Sequence, residues 1–312
     1  MKSCAAATLI LCMASSTPST SVTGASANAS ADATGSWTGF GGQKSHAHGD
    51  RRLPTGLLLR EDFESPDHGD SKWQDDIDGR TGYIRAGPRD FEGRKGGSVD
   101  FGVSYCGDGT CYRSEYKRPP SRRSEDLQLG RVYWFGFTMM LPANDTYTDT
   151  MHPNIFHFQL HGGDNIGRAP SFGLSLHDAT QPMHWRIYTA GDDRPSSTAS
   201  DTPKWSQSFD VGAVTFGVWE DFVVKIQLEC TPIGMLTVWR NGRQAVNQSS
   251  VATAYNDTHP PYIKLGAYIN KPFKETSGVH TSWWGARYWQ LKVGRADSSF
   301  ESVSTAHTTK QP

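Results

Sequence analysis

This sequence has almost no net charge. Its 31 basic residues against 32 acidic ones leave no global field to draw it to nucleic acid or to a membrane surface. Any polyanion it binds must be held by a local patch. It has no internal apolar run of the roughly 20 residues that a helical membrane span needs. No long segment carries a helical period and no internal repeat recurs, which excludes bundles, coiled coils and solenoids. Cysteine is sparse, at five in 312 residues. Cys4 and Cys12 fall in the N-terminal apolar run, leaving Cys106, Cys111 and Cys230. No second ligand pair follows Cys106-Gly-Asp-Gly-Thr-Cys111, so a zinc site is disfavoured. The spacing instead predicts a Cys106–Cys111 disulfide closing a tight loop in an oxidising compartment, with Cys230 a buried thiol.

What is present starts with Lys2 ahead of a short apolar run and then small residues, the pattern of a secretory signal over residues 1–20. Sequons at Asn144, Asn247 and Asn256 fit a secreted, extracellular glycoprotein. Residues 21–55 are rich in Ser, Ala, Thr and Gly without periodicity and read as a disordered leader. From residue 56 to 296, short alternating segments recur between Gly and Pro punctuation. They include 97–103, 131–141, 171–177, 185–189, 222–228, 235–240 and 288–293, with a hairpin signal at Asn241-Gly242. This predicts one all-β domain, a monomeric β-sandwich of the jelly-roll (concanavalin-like) type with a concave groove. Residues 297–312 read as a polar, fraying tail.

Three segments carry the functional signal. In Ile155–His161, alternation sends Phe156, Phe158 and Leu160 to one face and His157, Gln159 and His161 to the other. Tyr112–Lys117 puts Arg113, Glu115 and Lys117 on one face. Tyr262–Asn270 sets Lys264, Tyr268 and Asn270 against Ile263, Leu265, Ala267 and Ile269. If the strands share a sheet, its polar face offers Arg, Lys, Gln, His and Tyr together. Each residue alone is ordinary for an exposed strand face; the combination suits an anionic, hydroxyl-rich ligand.

That set matches one chemistry. A β-1,4-linked uronate is cleaved by removing the C5 proton and expelling the C4 oxygen, and the carboxylate beside C5 makes that proton a very weak acid. Arg113 and Gln159 can hold the carboxylate and stabilise the enolate-like intermediate. Tyr268 can transfer the proton, with His161 the alternative base. Lys117, Lys264, His157 and Asn270 would line substrate subsites. The chemistry requires no metal and no organic cofactor.

The motifs resemble a known family. Arg113-Ser-Glu-Tyr116, Tyr133-Trp-Phe-Gly-Phe-Thr138 leading to Leu141-Pro142, Gln159-Leu-His161, Trp219–Lys225 and Val238–Gly242 are similar to the glucuronan lyase and heparin-lyase-like polysaccharide lyases. The Arg-Ser-Glu, Gln-x-His and Tyr262-Ile-Lys-Leu-Gly-Ala-Tyr268 strands also resemble the site motifs of jelly-roll alginate lyases. The resemblance covers 57–294 and implies a lyase in which Arg113, Gln159, His161 and Tyr268 take the catalytic positions. Leu265 replaces the family's usual Ala, and Tyr116-Lys117 departs at the end of its strand. The resemblance also implies a structural calcium, for which Glu61, Asp62 and Glu64 are loosely patterned candidates. Two other functions compete: a carbohydrate-binding jelly roll without catalysis, and a glycoside hydrolase. A retaining hydrolase needs two carboxylates about 5–5.5 Å apart, and Glu115 has no evident partner in the sequence.

Overall fold

The computed structural model describes residues 55–63, 73–77, 83–88, 97–104, 113–118, 127–143, 155–164, 167–177, 182–269 and 283–305. The expected signal and most of the leader, Cys106, Cys111, Asn144, Glu64 and Asn270 lie outside them. The strands are β1 (Leu57–Glu61), β2 (Gln74–Ile77), β3 (Tyr83–Pro88), β4 (Gly97–Ser104), β5 (Arg113–Arg118), β6 (Val132–Met140), β7 (Ile155–His161) and β8 (Phe172–His177). They continue as β9 (His184–Gly191), β10 (Trp205–Ala213), β11 (Trp219–Gln227), β12 (Gly234–Arg240), β13 (Arg243–Val251), β14 (Tyr262–Ile269) and β15 (Trp283–Gly294). Among the described residues one short helix, α1 (Phe300–Val303), follows.

These strands form two antiparallel sheets. The order is β13-β12-β11-β6-β15-β4-β3 in one, with β1 also on β15, and β10-β9-β8-β7-β14-β5-β2 in the other. Alternation supplies the core between them. Phe135, Phe137 and Phe222 of the first sheet meet Phe158, Phe172 and Trp185 of the second, and all are almost fully buried. Phe137 stacks on Phe158 with centroids 4.7 Å apart, and Trp185 meets Phe222 edge-on at 5.6 Å. Each such side chain gains roughly 1.5–3 kcal/mol on leaving water. The Asn241-Gly242 turn takes positive φ at both residues, as the tight hairpin from β12 to β13 requires.

The segment after Arg295 belongs to the domain as far as Thr305, contrary to the fraying tail expected from its polarity. Ser299 caps α1 through its Oγ, and Ser302 returns the bond to the Ser299 N–H. Val303 is fully buried, and Thr305 Oγ1 lies 2.8 Å from Thr138 Oγ1 of β6. Docking and capping, not periodicity, order this short piece.

Candidate active site

β14 lies between β5 and β7 in the seven-stranded sheet, so the three segments singled out in the sequence are neighbours. Their registers align the polar residues in rows. Tyr262 faces His161, Lys264 faces both Gln159 and Lys117, and Tyr268 faces both Arg113 and Phe156. Ile263, Leu265, Ala267 and Ile269 point into the core as alternation predicts, Leu265 included. Gly266 sits between the rows with φ at +145°, and a Cβ there would come within 2.2 Å of the Ser114 carbonyl oxygen. Only glycine lets β14 approach β5 this closely.

A charge network ties the rows together. Lys264 Nζ donates to Asp76 Oδ2 at 2.6 Å and to Glu115 Oε2 at 3.1 Å. Arg113 Nη1 donates to Asp76 Oδ2 at 3.2 Å, and Lys117 Nζ lies 3.9 Å from Asp76 Oδ1. Gln159 Nε2 donates to Glu115 Oε1, which fixes which end of the amide is the nitrogen. Glu115 is fully buried, and burial pushes its carboxyl up against the pull of Lys264 and Arg113. Burial also acts to raise Asp76, but the Lys264 hydrogen bond and the charges of Lys264, Arg113 and Lys117 outweigh it and hold Asp76 low. Three cations against two carboxylates leave one positive charge. The Arg113 guanidinium lies 4.8 Å from the centre of the Tyr268 ring, over its face.

The two histidines of β7 part company. His161 remains on the polar face, its ring centroid 5.3 Å from that of Tyr262. Its Nδ1 lies 3.1 Å from the Gly162 carbonyl, which can only accept, so Nδ1 carries the proton and Nε2 the lone pair. Desolvation lowers its pKa to about 4, so the ring is neutral at neutral pH. His157 is not on that face. The β7–β8 register slips between Phe156 and Phe158, and the β7–β14 register slips between Leu265 and Tyr268. This bulge turns His157 inward with Phe158 and leaves Phe156 outside the core, among Tyr188 and Tyr268. His157 is fully buried, edge-on to Trp185, and its Nδ1 donates to the Gly266 carbonyl at 2.9 Å. The substrate-binding role expected for His157 from strict alternation therefore does not hold.

A model of polysaccharide lyases matches residues 68–285, more than half of the chain and every strand that contributes to the network. The chain belongs to the polysaccharide lyase family. Among solved structures, the endo-β-1,4-glucuronan lyase of the fungus Trichoderma reesei superposes with a TM-score of 0.51 at 15% identity, over 80% of this chain and 94% of its own. The alginate lyase AlyC3 matches with a TM-score of 0.42 at 12% identity, over 64% of this chain and 75% of its own. No curated protein matches the chain.

In this lyase the sequence motifs did not point to Asp76 or Tyr188, and they gave Tyr262 and Phe156 no role on the polar face. Asp76 comes from the short polar strand β2 and has no pattern of its own; only its register opposite Glu115 puts it beside three cations. Tyr262 was visible as the first residue of its motif, and its pairing with His161 follows once β7 and β14 are in register. Beyond them, Asp164 accepts from the Thr258 and His259 N–H groups at 2.7 and 3.2 Å. The buried Arg168 pairs with Asp257 and lies 3.9 Å over the Tyr255 ring. These contacts join the segment after His161 to the one before Tyr262 and fix that end of the site.

Of the calcium candidates Glu61, Asp62 and Glu64, the last lies outside the described residues. Glu61 accepts from the Phe63 N–H at 3.0 Å through one oxygen and from Trp73 Nε1 at 3.1 Å through the other. Among the described residues no group of three or more His, Cys, Asp or Glu converges as a metal set. Cys230 is half-buried rather than buried and is a free thiol. Asn247 is exposed on β13, whereas the Asn256 amide donates to the Asp193 carbonyl at 2.9 Å.

Proposed function

We propose that this lyase is a secreted, endo-acting enzyme that cleaves a β-1,4-linked uronan by β-elimination, with glucuronan its first substrate. The observation that carries this reading is the surplus positive charge of the Arg113–Lys117–Lys264 network, set between a phenol at Tyr268 and a neutral imidazole at His161. The cations offset the substrate carboxylate, and Arg113 and the remaining Gln159 amide proton stabilise the enolate-like intermediate. Tyr268, as phenolate, takes the C5 proton. The C5–H electrons form the C4=C5 double bond, the C4–O bond breaks, and the departing oxygen takes the proton back from Tyr268. His161, far along β14 from Tyr268, positions the sugar chain, and Lys117 and Lys264 set salt-sensitive binding.

A single tyrosine can do both transfers only where the C5 hydrogen and C4 oxygen lie on the same side of the ring. Glucuronate and mannuronate meet this condition; their C5 epimers, iduronate and guluronate, do not. Glucuronan ranks first, polymannuronate second and heparin-like chains third, since the described groove strands carry no dense Arg/Lys array for sulfates. The fungal glucuronan lyase is a likeness of fold at this identity; stereochemistry places glucuronan and polymannuronate together ahead of their C5 epimers, and the motif resemblance puts glucuronan first. Polymannuronate and polyguluronate, which differ at C5 alone, test it: polymannuronate should be cut faster, and a guluronate preference removes the single-tyrosine reading.

One observation favours a second base. His161 Nε2 carries a lone pair on the polar face beside Tyr262, roughly 20 Å along β14 from Tyr268 by strand rise. If His161 is the base, His161→Ala should cost as much turnover as Tyr268→Phe; under the first reading it costs less.

A further inference from the structure

Glu115 is the deepest member of the polar network. Tyr116 beside it belongs to the core, so alternation puts Glu115 on the groove face of β5, yet it is fully buried. Opposite it β14 carries only Gly266, and the carboxylate reaches across that strand to Gln159 of β7. Its two oxygens are divided between two partners. Oε1 accepts from Gln159 Nε2, and Oε2 accepts from Lys264 Nζ at 3.1 Å. An amide nitrogen and an ammonium can only donate. Both carboxyl oxygens therefore accept, which only the ionised form does. Burying a carboxylate is costly, and an apolar side chain of the same size would fill the space without that cost.

We infer that Glu115 is a positioning residue for the elimination, which holds the Gln159 amide so that one N–H goes to Glu115 and the other is directed at the substrate carboxylate. This rests on the lyase reading above and adds what orients the donor on which that reading relies. The isosteric Glu115→Gln isolates the role. Lys264 still needs an acceptor, which takes the carbonyl oxygen of the new amide, and the new NH2 then faces Gln159. Two donors cannot pair, so the Gln159 amide turns over and its oxygen takes the place of its nitrogen. A lone pair then points where an N–H pointed, toward the oxygens on which negative charge builds in the transition state.

The test is a double-mutant cycle on a uronan that the wild type cleaves, with Glu115→Gln, Gln159→Ala and the two together, and with melting temperatures. Glu115→Gln should lower kcat about 10²-fold, the size of one donor to a developing oxyanion, with less change in KM. On top of Gln159→Ala it should cost no more than about two-fold, since no amide is left to turn over. Additive losses would mean that Glu115 acts otherwise than through Gln159. That result, or a wild-type kcat in Glu115→Gln, would overturn the positioning role and leave the lyase reading intact. Should Glu115→Gln fail to fold, Glu115→Asp decides through the same cycle, because it keeps the charge and draws the acceptor back by one methylene. A wild type that cleaves no uronan overturns the parent reading and the positioning role together.

Discussion

The outer faces of the two sheets are built by the same alternation and meet opposite fates. On the eight-stranded sheet, Trp134 stacks on Trp239 at 5.8 Å, and Phe300 closes over Trp239 at 5.5 Å. Val303 and Thr305 dock there, and Lys292 Nζ donates to the Ser304 carbonyl at 2.7 Å. That face is partnered by the chain's own C-terminal segment. On the seven-stranded sheet the corresponding positions hold Arg113, Glu115, Lys117, Gln159, Lys264 and Asp76, which partner one another. The covered face is apolar and stabilises the fold. The polar one keeps charges and hydrogen-bonding groups together at a cost in desolvation, which a structural role alone does not repay.

Substitutions should therefore separate kinetics from stability by face. The largest effect is expected from Tyr268→Phe, which removes the proposed proton carrier. Turnover should fall by about 10²–10⁴-fold, as for loss of a general acid–base group, while oligosaccharide binding by calorimetry persists. Near-normal turnover would move the chemistry to His161. Arg113→Ala and Gln159→Ala should each cost about 10²–10³-fold in kcat, with less change in KM. A loss confined to KM would make them binding groups.

Stability effects come next in size. Burial lowers the His157 pKa from 6.5 to about 4, so the unfolded chain binds the extra proton first as pH falls. Its contribution is complete above pH 6.5 and is lost progressively down to about 4, worth roughly 3 kcal/mol across that window. His157→Gln should flatten the acid limb of melting temperature against pH; an unchanged limb would place the acid sensitivity elsewhere. The smallest effect belongs to the covered face. Trp239→Ala should cost about 2 kcal/mol in denaturant unfolding and leave kcat and KM as they are. A matching kinetic loss would show that the two faces are coupled.

Where the sequence was readable, burial on one side of a strand was strong. The strands β6, β7, β11, β12, β14 and β15 carry clear apolar patterns, and two of them hold the site together with β5, which was legible by its alternating charged residues. The strands without a pattern of their own, β2, β3, β10 and β13, are the ones at the sheet edges. Edge strands such as Trp205-Ser-Gln-Ser-Phe209 have few apolar positions because little covers them. β13 was announced only by its Asn-Gly turn. Asp76 was illegible for the same reason, lying on an edge strand of four residues. His157 misled because a period of two holds only while the register does, and one bulge reverses every face beyond it. Residues 297–305 misled because their order comes from docking on β6 and β15.

The central claim, that the polar face eliminates rather than hydrolyses or merely binds, is tested most directly by the product. Wild-type protein incubated with β-1,4-glucuronan should release oligosaccharides whose new ends carry the ultraviolet absorbance of a C4=C5 unsaturated uronate, one chromophore per cut. New reducing ends without that absorbance would mean hydrolysis. Binding without any cut, on glucuronan and polymannuronate alike, would make the face a carbohydrate-binding surface and contradict the account.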